Sequence, residues 1–178
     1  MKKIILILCI CFSISSNSQN LEKHIPNSSK AVISIHGDRF LELVSLSELN
    51  SLKLVHDMLG SLKKSGVNKL EDFGFDINSK AYYFYQQTDD NSYHNVIINF
   101  SNRKAFLKLL PQSTLDNTIT ENKINYHIKR KEIIAWNNKF ILFSIADTSK
   151  NKEVFKTNST RILSKNLKNS IIKNKSFQ

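Results

Sequence analysis

The chain has 178 residues, with 26 Lys and Arg against 15 Asp and Glu, a formal net charge of +11 and an isoelectric point near 9.7. One domain is the default at this length, and 40% hydrophobic with 10% aromatic residues suffices for a core, which excludes wholesale disorder. Four Gly and two Pro exclude collagen-like and Pro/Gly-rich classes and favour a few regular elements joined by Asn, Ser, Asp and Lys turns.

Lys2 and Lys3 precede an apolar run, residues 4–14, followed by Ser15, Ser16, Asn17, Ser18 and Gln19. A positive start, a short apolar segment and a small, polar end make the pattern of a secretory signal peptide, assigned to residues 1–19. A membrane helix needs about 20 apolar residues, and residues 140–146, the longest later apolar stretch, fall far short, so the mature chain is expected to have no transmembrane segment. Cys9 and Cys11 both lie in the leader. Its removal leaves no cysteine, and with it no disulfide, thiolate metal site or cysteine nucleophile. Leu8 and Ile10 stand where a lipoprotein needs small residues before the acylated cysteine, which excludes that anchor. The expected location is the periplasm, or association with the outer membrane or cell surface.

The positive charge is concentrated at the end of the chain. Residues 150–178 hold seven Lys and Arg161 against Glu153 alone, a net of +7, whereas residues 20–149 are nearly neutral. A nucleic-acid binder carries its basic footprint on the folded body, often with stacking aromatics interleaved. Here only Phe155 and Phe177 accompany the basic residues, so the run reads as a solvated face and no nucleic-acid partner is expected.

Residues 30–36 (KAVISIH) are β-branched and apolar, the composition of a buried strand ended by Gly37 and Asp38. Across residues 39–65, Phe40, Leu43, Val44, Leu49, Leu52, Val55, Leu59 and Leu62 recur at helical spacing, as one bent helix or two short ones, with Ser47 as a cap and Gly66 at the left-handed end. Residues 67–79 read as a connector burying Leu70, Phe73 and Ile77. A hairpin follows, residues 81–88 and 93–100 around the turn Asp89, Asp90, Asn91 and Ser92. Ser101 is placed to cap a helix over residues 102–110, which Pro111 ends. After a polar loop, residues 124–130 alternate as a half-buried strand, and residues 132–136 and 140–146 flank Asn137-Asn138, a turn of the kind asparagine permits by tolerating positive φ. The order β-α-β-β-α-β-β-β predicts an α+β domain over residues 20–149, a mostly antiparallel sheet with helices packed on one face. The basic tail, residues 150–178, repeats apolar Ile162, Leu163, Leu167, Ile171 and Ile172 at amphipathic helical spacing; it either docks back on the domain or begins a further unit.

Three segments carry a resemblance: His24 to Ile35 (HIPNSSKAVISI), residues 41–50 (LELVSLSELN), and FGFDIN before AYYFY at residues 73–85. Over nearly the whole mature chain they resemble the N-terminal unit of large exported Bacteroidota proteins of unknown function. The resemblance implies further domains in a longer parent protein. It brings no catalytic residue and no cofactor.

Candidate chemistry is sparse. His24, His36, His56, His94 and His127 form no pair at i, i+2 or i, i+4 and no HExxH, so no metal ligand set is assigned. His94, sharing a face with Val96, Ile98 and Phe100, reads as a partly buried, hydrogen-bonded histidine at the sheet edge. Asp89 and Asp90 are turn residues, and Glu71, Asp72 and Asp76 lack the spacing of a calcium loop. No nucleophile elbow or glycine-rich phosphate loop occurs. Aromatic surface remains: Tyr83 and Tyr85 share one strand face, Tyr82 and Phe84 the other. Both faces are expected to be covered; were only one covered, the exposed pair would be a patch for a protein or glycan partner. The reading that results is an exported, non-enzymatic module acting in binding or assembly at the cell envelope, with the sheet edge and the tail helix as contact surfaces. The alternative is an exported hydrolase or glycan-processing enzyme whose site this chain does not complete. No catalytic, cofactor-binding or metal-binding residue is assigned.

Overall fold

The computed structural model describes residues 21–62, 66–89, 91–147, 151–164 and 168–174. The assigned leader lies outside them, with Cys9 and Cys11, as do Asp90, Leu167 and Phe177. The strands are β1 (Ala31–His36), β2 (Lys80–Gln87), β3 (Ser92–Asn99), β4 (Ile119–Glu121), β5 (Ile124–Lys129), β6 (Glu132–Trp136) and β7 (Phe140–Ala146). They form one antiparallel sheet in the order β1-β2-β3-β7-β6-β5-β4. The helices are α1 (Gly37–Leu43), α2 (Leu46–Ser51), α3 (Lys53–Leu62), α4 (Arg103–Leu109), α5 (Gln112–Asp116) and α6 (Lys152–Leu163). The α+β class and the antiparallel sheet are as expected.

Period-2 alternation divides the sheet residues between two layers. On the first face Tyr82, Phe84, Tyr93, Ile97, Tyr126, Ile133 and Leu142 are buried in one cluster with Phe155, Ile162 and Leu163 of α6. Leu21, Ile25 and Ile171 complete it. The first and last described segments clasp each other beside it: Asn27 N–H donates to Asn169 O at 2.8 Å, and Ile171 N–H to Ile25 O at 2.8 Å. The tail helix therefore docks back on the domain. Its helical period does not run through to Ile171, because Ser164 is already extended and Ile171–Lys173 is a separate 3-10 turn.

The second face is covered at one end only. There Phe106 of α4 meets Trp136 edge-on at 5.9 Å and Phe75 at 5.8 Å, over Ile141.

Several local expectations are corrected. The segment at residues 39–65 forms three helices, since Val44 and Leu52 both take extended conformations. The breaks scatter the expected apolar face, leaving Leu43 more than four-fifths exposed and Phe40 and Leu52 half exposed while Leu59 is buried. The cap is Ser45 rather than Ser47: its hydroxyl accepts from Glu48 N–H, and the Glu48 carboxylate accepts from Ser45 N–H at 2.8 Å. Asn102, not Ser101, caps α4. The polar loop contains α5 and a seventh strand, β4. Positive φ falls on Asn122 and Lys123, a two-residue turn between β4 and β5, and not on Asn137 or Asn138. Asn137 turns the chain instead by accepting from Lys139 N–H and Phe140 N–H through its side chain.

Candidate contact surface

Strand register sets the open end of the second face. Residues directly opposite across antiparallel strands share a face, so Ala31, Tyr85, His94 and Ile145 form one row, and Ile33, Tyr83, Val96 and Phe143 the next. Phe143 is packed under Phe75, whereas Ile33 is 56% exposed and Ile145 51%. Tyr83 and Tyr85 lie between these limits, half-buried, while Tyr82 and Phe84 on the reverse are buried. The expectation that both faces are covered fails here, because α4 reaches only the far end of the sheet.

His94 organises the patch. Its Nδ1 lies 2.8 Å from the Tyr83 hydroxyl, and its Nε2 faces the Asp147 carboxylate at 3.6 Å. The carboxylate favours a proton on Nε2, leaving Nδ1 to accept from the Tyr83 hydroxyl. The ring is also tilted against Tyr85 at 5.1 Å. His94 is thus a hydrogen-bonded sheet residue, as expected, but on an interior strand and not at the sheet edge. The cluster offers two half-buried tyrosine rings with an imidazole and a carboxylate at their rim.

The remaining histidines stay apart. His36 lies 3.8 Å from Asp38, His56 is exposed on α3, and His127 is half-buried on β5. His24 is buried, its Nδ1 2.8 Å from Ile162 O and its ring 4.5 Å from Phe140. Burial pushes its pKa down, and the nearby Lys139 charge acts the same way against the raising effect of the Ile162 and Ser164 carbonyls.

The acidic residues serve local structure. The Asp72 carboxylate accepts from Asn68 and Lys69 N–H, and Asp76 accepts from Asn78 N–H. Glu71 accepts from the Asn50 amide at 2.9 Å, which holds its carboxyl below the usual range. Among the described residues no group of three His, Cys, Asp or Glu is placed to hold a metal ion.

Sequence reasoning missed Asp147, Glu22 and Asn50. Glu22 accepts from the Tyr82 hydroxyl and pairs with Lys80 at 3.6 Å; burial together with this carboxylate drives the Tyr82 phenol well above its ordinary range. Each of the three meets partners at least 20 residues away, or across two strands, so no local spacing signals it. In the tail, Lys156 pairs with Glu121 and Glu153. Among the described residues no helix is long and apolar enough to cross a membrane. No family model, curated protein or solved structure matches the chain.

Proposed function

We propose that this chain is an exported, non-enzymatic module that binds at the cell envelope, periplasmic or on the outer-membrane or cell-surface side, with the open end of its sheet as the contact surface. The observation that carries this reading is the half-exposed pair Tyr83 and Tyr85, with His94 held between Tyr83 and Asp147. Rigid aromatic area with polar tips at its rim is the composition of binding surfaces, for protein and glycan partners alike. Export rests on the leader pattern of residues 1–19, and the family reading on the three segments that resemble large exported Bacteroidota proteins of unknown function. Nucleic acid is not the partner proposed: α6 turns Phe155, Ile162 and Leu163 to the core, and its Lys156 is occupied by carboxylates.

Co-sedimentation with isolated envelopes tests the reading. Wild type is expected in the pellet, and Tyr83→Ala with Tyr85→Ala to lower the affinity about tenfold or more, the usual effect of truncating central interface aromatics. Pretreating the envelopes with protease or with glycosidases assigns the partner class. Binding indifferent to both tyrosines overturns the proposal. The hydrolase alternative has one observation in its favour, the imidazole placed between a carboxylate and a hydroxyl. Turnover of envelope glycans or chromogenic esters that His94→Ala abolishes would favour it.

A further inference from the structure

We propose that two copies of this chain pair edge to edge through β1, antiparallel about a two-fold axis perpendicular to the sheet, joining the two seven-stranded sheets into one. The inference goes beyond the binding surface, which lies on the face and not on the edge. The sheet has two edges, β1 and β4. Natural sheets protect their edges by shortness, charge or proline. β4 follows that rule, with three residues and Glu121 engaged by Lys156. β1 does not. It has six residues, AVISIH, without proline or a formal charge, and its Ile33 and Ile35 are 56% and 53% exposed. An apolar edge of that length presents a row of backbone donors and acceptors together with a hydrophobic stripe, which an added strand would satisfy and cover.

The sequence of β1 names a second copy as that strand. A two-fold antiparallel pairing centred on Ser34 sets Ile33 opposite Ile35 of the second copy, twice, on the face that already carries Tyr83. Val32 then lies opposite His36. Antiparallel pairing also sets the start of one β1, preceded by exposed Lys30, beside the end of the other, where exposed Asp38 stands in the first turn of α1, at both ends of the interface. Centring the pairing on Ile33 would instead set Lys30 against His36. Where the strand ends, Gly37 lies so close to Ile77 O and Ser79 O that a Cβ would come within 2.0 and 2.9 Å of them, so the chain turns there toward the approach to β2.

Sedimentation velocity of the purified protein across a concentration series tests the pairing. A dimer is expected for wild type and a monomer for Ile33→Lys, which places a charge on the edge. Lys30→Asp and Asp38→Lys should each raise the dissociation constant about tenfold, because each converts two attractive pairs into repulsive ones. The double variant should return to within about threefold of wild type. Thermal melts of the charge variants, whose side chains are exposed, show that each still folds. A wild-type monomer at about 100 µM, a dimer indifferent to Ile33→Lys, or a double variant without recovery overturns the proposal. Because Ile33 lies beside Tyr83 on the same face, envelope binding by Tyr83 and Tyr85 is read separately in the Lys30 and Asp38 variants, which should keep it while losing the dimer.

Discussion

Removing everything after Asp147 should abolish folding, although the sequence of residues 150–178 leaves open whether the basic tail docks back on the domain or begins a further unit. Phe155, Ile162, Leu163 and Ile171 are between 0 and 3% exposed, and all belong to the cluster that covers the first face of the sheet. At about 1.5–3 kcal/mol for each buried side chain, they contribute roughly 6–12 kcal/mol. The net stability of a domain is about 5–15 kcal/mol, so the loss is comparable to the whole. The truncation would also expose Tyr82, Phe84 and Tyr93 and break the 2.7 Å hydrogen bond between Tyr126 and Thr160. Far-ultraviolet circular dichroism on heating should show a cooperative transition for the full chain and none for the truncated one. Phe155→Ala grades the effect: a cost of about 3–5 kcal/mol lowers Tm by roughly 6–20 °C. Lys152→Ala, on the exposed side of α6, should stay within about 0.5 kcal/mol. A chain ending at Asp147 that melts cooperatively near the full-length Tm would refute this reasoning.

Two further predictions concern pH and backbone. The His24 pKa lies below its ordinary 6.5 in the folded chain, so the unfolded chain takes up the proton first as pH falls. Stability is full above about pH 6.5 and declines as pH drops toward the folded value, by at most about 1.4 kcal/mol per pH unit. His24→Gln removes this contribution; urea unfolding midpoints of the two proteins should diverge with pH between 7.5 and 5, and parallel curves would contradict the assignment. Gly74 has φ +72°, and a Cβ there would meet Asn102 O at 2.2 Å and Phe106 N at 2.8 Å, so Gly74→Ala should cost at least about 1–3 kcal/mol. Gly60 on α3 has nothing within 4 Å of such a Cβ, and Gly60→Ala should stabilise by about 0.5–1 kcal/mol. Equal effects at the two glycines in chemical denaturation would show that helix propensity, and not close approach, governs both.

Strands bounded by clear turn residues were legible. β2, β3, β5, β6 and β7 lie within a residue of their expected bounds because aromatic and β-branched runs between turn residues mark them, with apolar and polar alternation marking β5. β4 was not, since its three exposed residues ITE carry no alternation and pair only because Asn122 and Lys123 turn the chain back onto β5. The caps were displaced by a residue or two, since Ser45, Ser47, Ser101 and Asn102 are chemically equivalent candidates and only the backbone decides which hydroxyl or amide meets the open N–H groups. The pairing of Tyr83 with Tyr85 on one face was legible from alternation, but their partial exposure depends on where α4 stops.

By itself, then, the sequence determined the fold class and the strand hairpins, because these follow from local period and composition. The tertiary structure decided three things. It folded the basic tail into the core through Phe155, Ile162 and Ile171, left the β1–β3 end of one face open, and brought Asp147, His94 and Tyr83 together there. Each of these joins residues from separate strands or from opposite ends of the chain, and contacts of that kind are set by register and packing, which no local window of sequence contains.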